Sequence, residues 1–354
     1  MSPVLFYDPA CLAPYDTRTL QAQAMGGTEA TLTRVADALG ARVMQHNRRE
    51  DWQRYLRPQR LAGIASVVVN RDARALALMR AHYPQAQLYL WLHDRVRPGS
   101  RRAQALVAQA TQLRESRVTA ICVSDWQRGA VEATLARAQL AAVVPCLTIY
   151  NPVDDALQPD GTPVDPDKLV FFSSPNKGLD FTLDAFAALR RQMPQLHLVV
   201  GNPGYKATRV LNHAGVEFIG AQPQARMHAE VRSALCTFFP NFVIPETFGL
   251  VFAESHALGT PVLTHDCGAA LEVVGDPAQV LPLPASARLY EALAGRLAPR
   301  WRPAPARLAA AAGLFAPYAA RLASWRGGAR PRVGPDPRFR LSAVTAQWQA
   351  LLAG

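Results

Sequence analysis

The sequence predicts an α/β protein in two halves, each a parallel, doubly wound sheet. Three observations carry this expectation. Short apolar runs alternate with stretches of helical periodicity over the first 150 residues. A segment with four prolines, five aspartates and no periodicity interrupts them at 150–167 and reads as a linker. The alternation then restarts. A length of 354 residues suits two domains, each long enough to bury its own core.

In the first half, residues 4–7 read as a strand and 8–25 as a loop holding Pro9 and Pro14. Gly26, Gly27 and Thr28 open a helix to about residue 39, where Leu32, Val35, Ala36 and Leu39 recur at helical spacing. Two glycines at a helix start let backbone N–H groups approach a phosphate, with the helix dipole behind them. Taken alone, the pair reads equally as a tight turn. Residues 65–69 form the next strand, 73–82 a helix, and 88–92 a strand ending at His93-Asp94. A histidine at the carboxyl end of a buried strand faces the ligand crevice in this architecture. The other reading is a strand-end turn residue capped by Asp94. A basic loop at 95–102, a helix at 103–113, a strand at 119–123, an alanine-rich helix at 126–138 and a strand-like run at 143–149, broken by Pro145, complete the half.

The second half reads as a strand at 169–172, a loop at 173–178 and a helix at 179–193. Strands at 196–200 and 216–219, a helix at 225–233 and a strand at 235–239 follow. Then comes the segment 245–254, with Glu246 on a strand-end loop, Phe248-Gly249 at a helix start and Glu254 on the helix. Gly259 stops that helix before a strand at 261–264; helices are expected at 268–273 and 285–297. From 299 to 337 the chain is rich in Arg, Pro and Ala. Leu308, Phe315, Leu322 and Trp325 share a helical face there, followed by Arg326, Arg330 and Arg332. That reads either as a membrane-surface helix or as a helix packed on its own domain, with Pro317 kinking it in both cases. Residues 339–352 read as a last helix with Val344, Trp348 and Leu351 on one face. The Asp165-Pro166-Asp167 triplet has the form of a metal motif, but its proline and linker setting argue against that use.

Composition narrows the function. Net charge is +11 and comes mostly from arginine, since lysine stands only at 168, 177 and 206. This reads as a solvated Arg-rich surface or as attraction to an anionic partner. No recognition-helix, RNP or zinc-finger pattern supports nucleic-acid binding. Five scattered cysteines with no CxxC pair suggest reduced thiols. Neither a signal peptide nor a spanning helix is expected.

Glu246 and Glu254 first suggest glycoside hydrolysis, but eight residues of helix span about 12 Å. Retaining hydrolases hold their carboxyls about 5–5.5 Å apart and inverting ones about 6.5–9.5 Å. One alternative is a strand-end Glu plus a solvated helix Glu. The other is two carboxylates gripping the two ends of an elongated, hydroxyl-rich ligand, with N–H donors at 249–251 and the Lys177 cation near a central diphosphate.

These residues carry a resemblance. The segment Glu246–Glu254, with Phe248-Gly249-Leu250 inside it, is similar to the E-x7-E signature of family 4 glycosyltransferases. Further matching blocks are Gly26-Gly27, His93-Asp94, Val123-Ser124, 149–154, Lys177-Gly178, 216–220, 257–262 and 268–274, in the family's order over about residues 4–275. The resemblance implies a GT-B fold, in which two Rossmann-like domains face a central cleft and the last helix crosses back to the first domain. The corresponding boundaries are 1–152, 153–336 and 337–354. It implies a cytoplasmic, retaining transfer of a sugar from a UDP- or GDP-linked donor, without metal or other cofactor. The acceptor is a glycan, lipid-linked or small-molecule hydroxyl, in bacterial surface glycan or glycolipid synthesis. Peripheral contact with an anionic membrane is a further expectation.

The resemblance also implies roles. Glu246 binds the donor sugar near its anomeric carbon, and Glu254 binds the ribose. Phe248 and the amides of Gly249, Leu250 and Val251 meet the sugar and diphosphate, and Gly26 and Gly27 the phosphate. Lys177 offsets charge on the leaving diphosphate. His93 contacts the donor sugar, and backbone near Gln222 reads the base. One departure stands out: the Arg that the family places shortly before this Lys is missing from Ser173-Ser174-Pro175-Asn176. A sugar-nucleotide epimerase of the same fold and a non-catalytic nucleotide-sugar-binding module are the alternatives.

Overall fold

The computed structural model describes residues 3–11, 13–47, 61–202, 213–242, 244–294, 313 and 315–353. Two compact units emerge: residues 1–18, 27–154 and 337–354 form the first, and 19–26 with 155–336 the second. In chain order, the elements up to the first sheet's last strand are β1 (Val4–Cys11), α1 (Thr17–Ala22), α2 (Gly27–Ala38), β2 (Arg42–Asn47), β3 (Ser66–Asn70), α3 (Leu76–His82), β4 (Gln87–Leu92), α4 (Arg101–Val107), α5 (Ala110–Glu115), β5 (Thr119–Cys122), α6 (Asp125–Arg137) and β6 (Cys146–Thr148). The sheet runs β2-β1-β3-β4-β5-β6 and is parallel throughout.

Three features depart from the sequence pattern. β1 continues to Cys11 through Pro9, which a central strand normally rejects; the register against β2 shifts between Asp8 and Cys11, and the bulge absorbs the missing donor. β2 and α1 were not expected, because neither presents an apolar run. The helix expected at 103–113 is two helices, since Gln109 leaves helical dihedrals between them. On one face of the sheet, Leu5, Tyr7, Val67, Val69, Leu88 and Leu90 pack with Leu76, Met79, Leu113 and Val131 of the covering helices.

The second unit holds β7 (Asp165–Phe172), α7 (Leu179–Arg190), β8 (His197–Asn202), β9 (Val216–Ala221), α8 (Gln224–Arg232), β10 (Ala234–Phe238), α9 (Leu250–Ala257), β11 (Val262–His265), α10 (Ala270–Val274), β12 (Val280–Leu281), α11 (Ala285–Ala294) and α12 (Phe315–Ser324). Its parallel sheet runs β12-β11-β10-β7-β8-β9. β7 starts at Asp165, inside the stretch expected to be linker. Asp165 pairs with Ala234, and the register then shifts before Leu169 meets Cys236, so Pro166 falls in the irregularity. Phe171 stacks on Phe239 at 5.5 Å, and Phe252 of α9 meets Phe239 edge-on at 5.4 Å.

α12 packs onto this unit with Tyr318 and Leu322 fully buried. Pro317 is the third residue of the described helix, and the residues before 315, apart from 313, lie outside the described ones back to 295. Arg326 binds the Asp167 carboxylate at 2.6 Å, and Arg330 donates to the carbonyls of Leu235 (2.8 Å) and Ala234 (3.1 Å). Two of the three arginines read as a membrane patch are therefore bound within their own unit. Leu308 and the end of the helix expected at 285–297 lie outside the described residues. No described helix is long and apolar enough to cross a membrane.

The last element, α13 (Leu341–Ala353), belongs with the first unit. Val153 donates to Phe339 O at 2.7 Å and accepts from Leu341 N at 2.9 Å, which anchors the helix start. Trp348 then covers the sheet face opposite the α3–α6 core, 5.7 Å from Phe6 and 4.9 Å from Trp91 between ring centres.

Both sheets have a point where the strand order reverses. In the first it lies between β1 and β3, and in the second between β7 and β10. Crevices outside the carboxyl ends of strands at such points are where open α/β sheets collect ligands.

Candidate functional site

The reversal point of the second sheet brings together two residues singled out from the sequence. Lys177 ends a short 3₁₀ turn, Pro175–Lys177, directly after β7. Gly178 follows with φ 91° and lies so close to Asn241 that a Cβ there would stand 2.7 Å from its Oδ1. The turn after β7 is thus pressed against the loop after β10, which carries Glu246. Lys177 Nζ lies 2.8 Å from Glu246 Oε2. Glu246 is buried, and its other oxygen, Oε1, accepts no hydrogen bond from the described residues.

The backbone of Glu246 is clamped. Ala269 N donates to Glu246 O at 2.9 Å. Gly268, at φ 69°, makes this approach; a Cβ there would fall 2.3 Å from Glu246 O. Only glycine allows both that dihedral and that proximity.

Phe248 is buried, and Gly249 caps α9 at φ 89° with the Phe252 ring where its side chain would be. Leu250 and Val251 begin the helix, where backbone N–H groups have no intrahelical acceptor. Glu254 lies further along α9 and is buried. Gln222 follows β9, two strands from β7, and donates from its side chain to Ile219 O at 2.5 Å.

In the first unit, His93 follows β4, buried, with its ring 4.5 Å from that of Trp91. Burial, and secondly the Arg71 guanidinium, push its imidazole well below its ordinary value, so the ring is neutral near pH 7. Asp94 binds Arg102 at 2.7 Å, and its carbonyl accepts from Gln127 Nε2 at 2.8 Å. Gln127 Oε1 in turn accepts from Val123 N, so this α6 side chain bridges the ends of β4 and β5. Arg71, just past β3, lies 3.1 Å from Glu29 Oε1 and 3.7 Å from Asp8 Oδ2. Tyr15 donates to the fully buried Asp8 at 2.7 Å.

Sequence reasoning missed Asp8, Arg71 and Gln127. The first two stand where strands already recognised come to an end, which was the available signal. Gly27 opens α2, while Gly26 falls in the segment 19–26 that groups with the second unit. Asp165 and Asp167 sit at the amino end of β7, away from Lys177, and face His197 and Arg326. Among the described residues, no three His, Cys, Asp or Glu side chains gather as a metal site requires.

Two parallel, doubly wound sheets in one chain, each with its reversal-point crevice, define a protein of the GT-B class. Residues 159–293 match the family described as glycosyl transferases group 1. The phosphatidyl-myo-inositol mannosyltransferase of Mycobacterium leprae (strain TN) is 30% identical over 133 residues, covering 36% of this chain and 35% of the relative. The chain thus spans about a third of the length of the curated relative it matches. Among solved structures, Anabaena Alr3699/HepE in complex with UDP-glucose aligns over 100% of both chains with TM-score 0.62 at 16% identity. Sucrose-phosphate synthase from Thermosynechococcus elongatus aligns over 100% of this chain and 98% of its own, with TM-score 0.59 at 16% identity. Those two likenesses carry the fold. The match to glycosyl transferases group 1 thus falls within the second unit, and the likenesses to solved structures extend over the whole GT-B framework.

Proposed function

We propose that this chain is a retaining glycosyltransferase. It moves a hexosyl group from a nucleotide-diphosphate sugar to an acceptor hydroxyl, in the synthesis of a bacterial surface glycan or glycolipid. The observation that carries this reading is the Glu246 carboxylate at the reversal point of the second sheet. One oxygen rests on Lys177, and the other is buried without a donor among the described residues. A buried acceptor left in that state costs about 1–3 kcal/mol, more for a charged group. A sugar hydroxyl would satisfy it.

The surrounding groups suit the rest of such a donor. The Lys177 ammonium can hold Glu246 in place and offset charge developing on the departing diphosphate. The helix start at Gly249 offers N–H groups to an anion. Glu254, in the second turn of α9, suits the ribose. His93, being neutral, can bond the sugar without opposing an oxocarbenium-like charge. Retention follows if the acceptor attacks on the face the diphosphate leaves, with the leaving oxygen taking the acceptor's proton. This reading requires no metal or organic cofactor. UDP-glucose bound in the Anabaena neighbour supports a nucleotide-sugar donor. Work at the cytoplasmic face of a membrane fits the reading, with anionic lipid contact drawing on arginines other than Arg326 and Arg330.

The experiment is a thermal-shift panel of UDP- and GDP-linked sugars, followed by transfer assays with Glu246→Ala and His93→Ala. Each substitution should lower turnover about a hundredfold or more. Unchanged turnover in both variants would remove the assignment. Release of an altered nucleotide sugar without acceptor would identify an epimerase, and donor binding without turnover on any acceptor a binding module.

A further inference from the structure

The first sheet has its own reversal point, between β1 and β3, and beside it a cavity of about 320 Å³ opens over the carboxyl ends of β3 and β4. Arg71 and Arg74 after β3, Asp94 after β4 and Arg102 of α4 line it, with Leu92 and Leu106 as an aliphatic wall. We infer that this cavity is an anion subsite, taking a phosphate or carboxylate carried by the acceptor. The inference rests on the proposed transfer reaction and adds the chemical class of its second substrate.

Charge is the first reason. The lining holds three arginines, Arg71, Arg74 and Arg102, against Asp72 and Asp94. Both aspartates are already engaged, Asp72 with Arg74 at 2.6 Å and Asp94 with Arg102 at 2.7 Å. A guanidinium carries five N–H donors and a carboxylate meets only two in a fork, so donors remain in surplus after pairing. A neutral sugar needs donors and acceptors in balance; this cavity is short of acceptors.

Arg71 is the second reason. Its Nη2 is held toward Glu29 and Asp8, while its Nε is buried and donates to none of the described residues. A buried charged donor calls for an acceptor, and an anion in the cavity would provide one. The volume suits a phosphorylated monosaccharide or a lipid headgroup, at the small end of ligand sites.

The test uses the full chain and two probes. In the first arm, glucose 6-phosphate and glucose are titrated at low and high salt against wild type, Arg74→Ala, Arg102→Ala and the double variant. Both arginines are more than half exposed, so the substitutions spare the fold. Wild type should prefer the phosphate at least tenfold, the preference should weaken with salt, and each substitution should cost about tenfold. In the second arm, phosphatidylglycerol vesicles are compared with phosphatidylcholine vesicles. Phosphatidylglycerol binding lost in the same variants identifies a lipid headgroup as the source of the anion; binding of the soluble sugar phosphate alone identifies a water-soluble acceptor. No preference for phosphate in either arm, or binding that survives in the double variant, overturns the inference. UDP binding is measured separately on each protein: its absence in wild type would count against the donor reading and leave the anion result standing.

Discussion

Gly268→Ala tests how Glu246 is held, and the structure provides its control. Gly268 and Gly275 have nearly the same left-handed dihedral, φ 69° and φ 70°. A Cβ at Gly275 meets nothing within 4 Å, whereas one at Gly268 lands 2.3 Å from Glu246 O and 2.9 Å from Glu246 N. Alanine at either position costs about 1–2 kcal/mol for the dihedral. At Gly268 the Glu246 backbone must also retreat by about 1 Å to reach ordinary contact distance. That strains or breaks the bond from Ala269 N, worth about 1 kcal/mol. The sum is about 3 kcal/mol for Gly268→Ala. For a unit of this size, each kcal/mol shifts Tm by about 2–4 °C. Gly268→Ala should therefore melt about 6–12 °C below wild type, and Gly275→Ala about 2–8 °C below. An ångström of displacement at Glu246 should cost about a hundredfold in donor turnover, while Gly275→Ala stays near wild type. Circular dichroism melts and a transfer assay read both effects. Equal melting of the two variants, or full turnover in Gly268→Ala, would refute the clamp.

Three other outcomes follow from the same contacts. Lys177→Met should lower kcat by about 10²–10³-fold and also lower Tm, because it leaves the buried Glu246 carboxylate without its cation; a melting shift with intact kcat would make the pair structural. His265 sits between Leu281 O and the Tyr318 hydroxyl, and burial pushes its pKa down to about 4. The unfolded chain, with a pKa near 6.5, takes up a proton that the folded state refuses, so stability is full above about pH 6.5 and falls by roughly 3 kcal/mol as pH drops toward 4. Urea melts at pH 7.5 and 4.5 should show a shallower pH dependence for His265→Phe than for wild type, and parallel curves would contradict this. Trp348→Ala removes the ring packed on Phe6 and Trp91 and should destabilise the first unit by about 3–5 kcal/mol, read by denaturant titration; a loss below about 1 kcal/mol would show that α13 is dispensable.

How much of this was legible in the sequence depends on what each element is made of. Central strands such as β4, β7 and β10 are buried on both faces and read as continuous apolar runs. β2 is an edge strand containing Arg42 and Gln45, and β12 has only two residues, so neither offers a run to detect. The irregular start of β7 hid because Pro166 and two aspartates look like linker until their pairing with β10 is seen. In the candidate site, 245–254 is legible because its chemistry is contiguous. The sequence names Lys177 and Glu246, but their contact across 69 residues is a property of the strand order. Asp8, within β1, and Arg71, just past β3, are single charged residues, ordinary in sequence and distinctive only once β1 and β3 lie side by side.

The return of α13 to the first unit has a consequence for biosynthesis. Domains tend to fold as they leave the ribosome, N-terminal first. Here the strands of the first sheet are all made by residue 148, yet the Trp348 ring that packs on Phe6 and Trp91 arrives only with residues 341–353. The whole of 155–336 is translated in between. The nascent first unit therefore spends that interval with Phe6 and Trp91 lacking this cover, and a premature stop anywhere in the second unit leaves them so permanently. The second unit, largely continuous in sequence, is the one free to finish first, and the unit begun earliest is completed last.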